Sequence, residues 1–250
     1  MVLDVTFYAF AIPAVIFAGV SKGGFGGGAA FAAAPFLALV MEPLEAVAVM
    51  LPVLMAVDAV TIRAYWKKWS WPDAKPLMIG SMAGIALGTF LFAIISGDFV
   101  RLLIGLTALG FVAFQLAIAR RWIVLGERKV PRSHAYGWGA AAGFTSFVSH
   151  AGGPPTAVYL LGRKLDKLSY QATTVIMFTV INAVKFFCYI YLGMFSTNTL
   201  IASASLAPIA ILAGLAGVVA HAWISERWFF RLTYIFLTIT GIKLVFDALT

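Results

Sequence analysis

Charge is what this chain has least of. Asp, Glu, Lys and Arg make up 11% of its 250 residues, where a soluble domain carries about a quarter. So few charges cannot cover a surface that faces water on all sides. Acids are the scarcer sign, 10 against 18 basic residues, for a net charge of +8. A basic balance can point to nucleic acid, but these Lys and Arg sit in short loops between apolar blocks. The positive-inside rule produces that distribution, so the charge reports topology and no nucleic-acid partner is expected. Cysteine is nearly missing: Cys188 alone excludes an internal disulfide and a CxxC redox relay, and reads as a small apolar residue on a helix. No phosphate-binding P-loop occurs, which argues against ATP as a direct driver. The first 20 residues hold no Lys or Arg, so the basic start of a cleavable signal is missing. No cofactor and no metal site is expected.

What the chain does have is apolar sequence in long blocks. Hydrophobic residues make up 62% of it, the mean hydropathy is +0.96, and several blocks reach the roughly 20 residues that a membrane-spanning helix needs. Two stretches open the chain, about Val5–Val20 and Ala29–Met41, separated by Ser21–Gly28. Leu44–Tyr65, Pro76–Ile95 and Phe99–Ala119 follow, then a basic loop at Arg120–Arg132. The second half repeats the scheme with Tyr136–Val148, an interruption at Ser149–Pro155, and Thr156–Leu161. Leu168–Phe195, Leu200–Ile224 and Trp228–Leu249 complete it.

Sliding the chain on itself by 124 positions aligns Gly19 with Gly143, Gly28 with Gly152, Leu44 with Leu168 and Ala48 with Ala172. The same offset sets Asp58-Ala59-Val60 on Asn182-Ala183-Val184. Both the glycine break and the polar position inside the following helix fall in register, which reads as a duplication with repeats at 1–125 and 126–250. Basic residues then orient the halves. Arg63, Lys67, Lys68 and Lys75 mark one cytoplasmic loop, Arg120 to Arg132 a second, Arg163, Lys164 and Lys167 a third, and Arg227 and Arg231 a fourth. Both flanks of Tyr136–Leu161 are therefore cytoplasmic. Its arms are too short for a hydrocarbon core of about 30 Å, so a re-entrant hairpin is predicted. The opening pair would enter from outside, either re-entrant or fully spanning. The expected architecture is an all-α integral membrane protein of two inverted repeats, each a broken or re-entrant hairpin plus three transmembrane helices. Both termini are expected outside the plasma (inner) membrane, and a homodimer is admitted. Trp66, Trp69, Trp71, Trp122, Trp223 and Trp228 sit at segment ends, as interface anchors do.

Three features carry candidate chemistry. The first break offers Ser21, Lys22, Gly26, Gly27 and Gly28. Glycine costs a helix about 1 kcal/mol relative to alanine, so its density here marks either close backbone approach to an anion at a helix N-terminus or a small-residue packing surface. The second break places Ser149, His150, Gly152, Gly153 and Thr156 around Pro154-Pro155, prolines that suit the first turn of the returning helix. His150 could bind a ligand or carry a proton, although a lone histidine can also be structural. His134 and His221 read as loop and helix-end residues. Finally, Gln171, Thr174, Phe178, Asn182 and Lys185 share one helical face, with Asp58 and Thr61 as the repeat mates of Asn182 and Lys185. An ionisable group inside a span costs at least about 2.5–3.5 kcal/mol and normally meets a partner or a cavity. Asp58 can pair with Lys22 or with Lys185 as structural glue, or serve as a proton carrier while a lysine holds an anion.

The Gly-rich first break, the Ala/Phe/Pro segment after it, and Gly143–Pro155 with its run His150, Gly152, Gly153, Pro154 resemble the TauE/SafE sulfite exporter family, also called toluene-sulfonate uptake permeases. The resemblance covers essentially the whole chain. It implies a permease for sulfite, sulfoacetate or a related sulfur-containing anion. The expectation is therefore a secondary carrier of a small anion working by alternating access at a midplane site, not an enzyme. Lys22 or Lys185 would serve as counter-charge and Asp58 or His150 as proton-coupling candidates. A passive anion channel and an intramembrane hydrolase are the alternatives.

Overall fold

The computed structural model describes residues 3–24, 30–125, 130–220 and 226–250, the side chains of 220, 226–233 and 236 excepted. Every regular element among them is helical. The order is α1 (Val5–Gly24), a 3₁₀ turn (Ala30–Ala32), α2 (Ala33–Leu37), α3 (Pro43–Ala64), α4 (Trp71–Phe92) and α5 (Gly97–Ala119). The second half brings α6 (His134–Ser149), α7 (Gly153–Gly162), α8 (Lys167–Tyr191), α9 (Thr197–Ala220) and α10 (Glu226–Leu249). Among the described residues six helices, α1, α3, α4, α5, α8 and α9, are long and apolar enough to cross a membrane. The chain is a multi-pass α-helical membrane protein.

Helix boundaries follow from local chemistry. Pro43 opens α3, Pro72 lies in the first turn of α4, and Pro154 and Pro155 in that of α7, where a missing N–H costs nothing. Ser96 accepts from the Phe99 N–H to cap α5. Asp166 accepts from the Leu168 and Ser169 N–H groups to cap α8, and bonds from Ser169 hold its exposed carboxyl below the ordinary carboxylate range.

The two expected hairpins differ in length from the sequence reading. In the second, helix continues through Ser149 and resumes at Gly153, so only His150–Gly152 leave it. Its arms of 16 and 10 residues come to about 24 and 15 Å, each short of the core. The base is closed by the Val130 N–H donating to the Gly162 carbonyl (3.2 Å) and by Arg163 donating to the Val130 carbonyl (2.8 Å). Both ends of α6–α7 thus meet on one face, the one that carries the basic loops. In the first hairpin α1 runs through Ser21-Lys22-Gly23-Gly24, while the returning arm is short, a 3₁₀ turn and the five-residue α2. Phe36 on α2 packs against Phe10 on α1, ring centroids 5.4 Å apart, so the chain doubles back along the first half of α1.

Helix packing exploits small residues. α4 lies on α6, α1 on α9 and α5 on α10, while α3 contacts both α8 and α9. At α4–α6 a Cβ on Gly84 would stand 2.0 Å from the Ala140 carbonyl oxygen, and one on Gly143 2.2 Å from that of Ser81. At α1–α9 a Cβ on Gly23 would stand 2.2 Å from the Gly214 carbonyl oxygen. Apolar side chains cannot drive association inside lipid as they do in water, so backbone-to-backbone proximity supplies the contact. The outer faces carry exposed Leu212, Val219, Phe187 and Phe246, which suits lipid contact. Trp66, Trp71 and Trp122 are exposed at helix ends on the basic face; Trp223 and Trp228 lie outside the described side chains.

Candidate functional site

Two buried lysines approach one another from different halves of the chain. Lys22, near the end of α1, sets its Nζ 2.7 Å from Asp58 Oδ1 on α3 and donates to the Leu54 carbonyl at 3.3 Å. Asp58 Oδ2 in turn accepts from Asn182 Nδ2 on α8 at 2.8 Å. Asp58 and Asn182 are 124 positions apart, so the residues that align under the sequence offset are bonded to each other across the centre of the molecule. Asp58 therefore pairs with Lys22, and Lys185 is left to other partners.

Lys185 has no carboxylate partner among the described residues. Its Nζ lies 2.6 Å from the Ser146 carbonyl, 3.1 Å from Ser146 Oγ and 2.7 Å from His150 Nδ1. The other ring nitrogen of His150, Nε2, is 3.0 Å from the Val47 carbonyl. A carbonyl can only accept, so Nε2 carries the ring proton and Nδ1 accepts from the lysine. His150 is held in the left-handed region, φ 59°, as the cap of α6. Lys67, Arg121 and Lys164 share that geometry, so the backbone conformation alone marks a helix end, and the two committed ring nitrogens mark the site.

Between the two clusters lies a cavity of about 20 Å³, with Lys22, Ser146, His150 and Asn182 as its polar lining and Leu54 and Phe178 among its apolar lining. Of the residues expected from sequence, Lys22, His150 and Asn182 line it, while Asp58 and Lys185 stand one contact behind. Ser149 directs its hydroxyl to the Thr145 carbonyl (3.5 Å) and Thr156 to that of Gly152 (2.8 Å), with Met177 Sδ on α8 at 3.7 Å, and neither lines the cavity. Gly152 is small by necessity, since a Cβ there would sit 2.7 Å from the Phe178 ring. Gly153 opens α7 and Ser21 is buried within α1. Gly26, Gly27 and Gly28 lie outside the described residues.

Ser146 was not among the expected ligands. The signal was present, since the offset that aligns Asp58 with Asn182 also sets Ser146 on Lys22. Gln171 does structural work at the end of α1, donating to the Lys22 and Gly23 carbonyls (3.0 and 3.2 Å), and the Tyr65 hydroxyl also donates to Gly23 (2.8 Å). These bonds give the Lys22 and Gly23 carbonyls partners in the last described turn of α1.

A second polar cluster lies at the basic face. Buried Asp73 accepts from Ser70 (2.6 Å), the Tyr159 hydroxyl (2.9 Å) and Arg163 (2.8 Å). It ties the start of α4 to the end of α7, and the Ser70 N–H donates to Thr173 on α8 at 2.9 Å. In the sequence Asp73 looks like an ordinary first-turn acid.

The family model for the sulfite exporter TauE/SafE matches residues 11–244. The chain belongs to the TauE/SafE sulfite exporter family. That family is one of membrane transporters, and its match takes in both hairpins, both lysines and Asp73. Comparison with curated proteins and with solved structures finds no match to this chain.

Proposed function

We propose that this protein is a secondary transporter of a small sulfur-containing anion, an oxyanion such as sulfite or an organosulfonate, working by alternating access at the cavity between the two hairpins. The observation that carries the reading is a pair of buried lysines from opposite halves, one of them paired with Asp58, beside a small cavity lined by Lys22, Ser146, His150 and Asn182. Two inverted halves meeting at such a point are the common plan of secondary carriers. The plasma membrane is the proposed location, with the basic face in the cytoplasm and both termini outside.

The size of the cavity favours a carrier over an open channel. About 20 Å³ holds one water, so an anion of four or more heavy atoms enters only if the helices part. The hydrolase reading finds no support at the second hairpin. Both nitrogens of His150 are engaged, neither by a serine hydroxyl, so no nucleophile–base pair is assembled there. Of the two proton-coupling candidates, Asp58 is engaged on both oxygens by Lys22 and Asn182 and His150 on both nitrogens by Lys185 and the Val47 carbonyl, so either must release a partner to carry a proton.

Purified protein in liposomes should show saturable sulfite or sulfonate counterflow with trans-stimulation. Linear, non-saturating flux would make it a channel. In His150→Gln, the pH change per anion exchanged should be lost even where exchange itself slows; a pH change that survives the substitution removes His150 from coupling.

A further inference from the structure

The fixed charges and the uncommitted donors around the cavity say more about what it accepts. Lys22 and Asp58 cancel at 2.7 Å, and the imidazole of His150 lies between a lysine and a carbonyl. With Asp58 counted once, against Lys22, Lys185 adds one positive charge with no carboxylate in direct contact among the described residues. The duplication shows where this asymmetry arises. Under the common offset the mate of Asp58 is the neutral Asn182, that of Lys22 is Ser146, and that of Lys185 is Thr61. At the cavity the first half therefore carries a lysine with its own counter-ion, and the second a lysine without one among the described residues.

The donors point the same way. The Lys22 ammonium has three N–H groups and among the described residues uses them on Asp58 and the Leu54 carbonyl, which leaves one. Asn182 has two amide N–H groups and among the described residues gives one to Asp58. Ser146 Oγ accepts from Lys185 and keeps its own proton uncommitted among the described residues. All three residues line the cavity, so three unspent donors border a space next to one unbalanced positive charge.

We infer that the site selects anions by valence and takes those carrying a single negative charge, a sulfonate or a singly protonated oxyanion, in preference to dianions of the same shape. Residual charge at membrane depth is costly. A monoanion brings the filled site to neutrality, whereas a dianion overshoots by one unit. Lys185 balances the ligand through Ser146 and His150, while Lys22, Asn182 and Ser146 supply the hydrogen bonds. Asp58 acts as a fixed counter-ion that sets the total. This inference rests on the anion-carrier reading above.

The test compares methanesulfonate with sulfate, similar tetrahedral ions of one and two charges, for binding to the full-length detergent-purified protein by titration calorimetry. The wild type should bind methanesulfonate at least about tenfold more tightly than sulfate. Asp58→Asn, which adds one net positive charge, should erase or reverse that preference, and Lys185→Met should weaken methanesulfonate about tenfold or more. Should neither variant fold, the wild type still decides. Raising the pH from about 6 to about 8.5 converts hydrogensulfite to the dianion, so sulfite binding should fall while methanesulfonate binding holds, in keeping with the preference for one charge. Tighter binding of sulfate than methanesulfonate by the wild type, or sulfite binding that strengthens as the pH rises, would overturn valence selection and leave the carrier reading intact. If none of the three anions binds and none shows counterflow, the carrier reading itself is wrong.

Discussion

At the residue scale the decisive pair is Lys22 and Asp58. Each alone would be a charge stranded in a low-dielectric interior; together, at 2.7 Å, they offset one another. Removing one partner of a buried pair commonly costs about 3–5 kcal/mol, whereas replacing both by apolar groups is far milder. Asp58→Leu and Lys22→Met should therefore each lower thermal stability in detergent strongly, while the double variant recovers most of the loss. Strictly additive losses would show that the two side chains do not act as a pair. Lys185 is different in kind. Its nearest partners are a carbonyl, a hydroxyl and an imidazole, all neutral, so its charge remains available to a ligand.

At the scale of elements, the glycines divide by position. Gly84 and Gly143 let α4 and α6 touch backbone to backbone, and Gly23 does the same for α1 on α9. Gly110 on α5 has open space where a Cβ would stand. Gly84→Ala, which would place a methyl 2.0 Å from a carbonyl oxygen, should cost about 1–3 kcal/mol or prevent accumulation in the membrane. Gly110→Ala should be neutral or stabilise by up to about 1 kcal/mol. Melting temperatures in detergent compare the two, and equal behaviour would mean that α4 and α6 do not pack this closely. A glycine-rich sequence signals either a ligand site or a packing surface. Gly23 and Gly24 at the first break belong to the packing surface, each meeting the α9 backbone, and Lys22 beside them belongs to the site.

At the scale of the whole molecule, the Asp73 cluster binds three helices at the basic face and closes the base of the α6–α7 hairpin from the side. Alternating access requires that such contacts break on one face while the centre stays intact. Asp73→Asn leaves Arg163 and Tyr159 without their charged acceptor, a loss of about 1–3 kcal/mol. Hydrogen exchange at residues 156–163 should quicken in that variant, with α1–α9 unchanged. Unaltered exchange there would mean that the cluster does not hold the hairpin shut.

The linear order of residues by itself determined the class, the succession of helical segments and the break at the second hairpin. Hydrophobic block length, proline and glycine placement and loop charge are local properties that act wherever the chain lies. Tertiary structure alone decided which charges meet. Asp58 had two lysines within reach of the argument, and only the approach of α1 to α3 gave it Lys22. The same packing left Lys185 to Ser146 and His150, gave the Ser149 and Thr156 hydroxyls partners away from the cavity, and made Asp73 part of a buried cluster. Pairings of this kind depend on where separate helices cross, and close glycine contacts between backbones set those crossings.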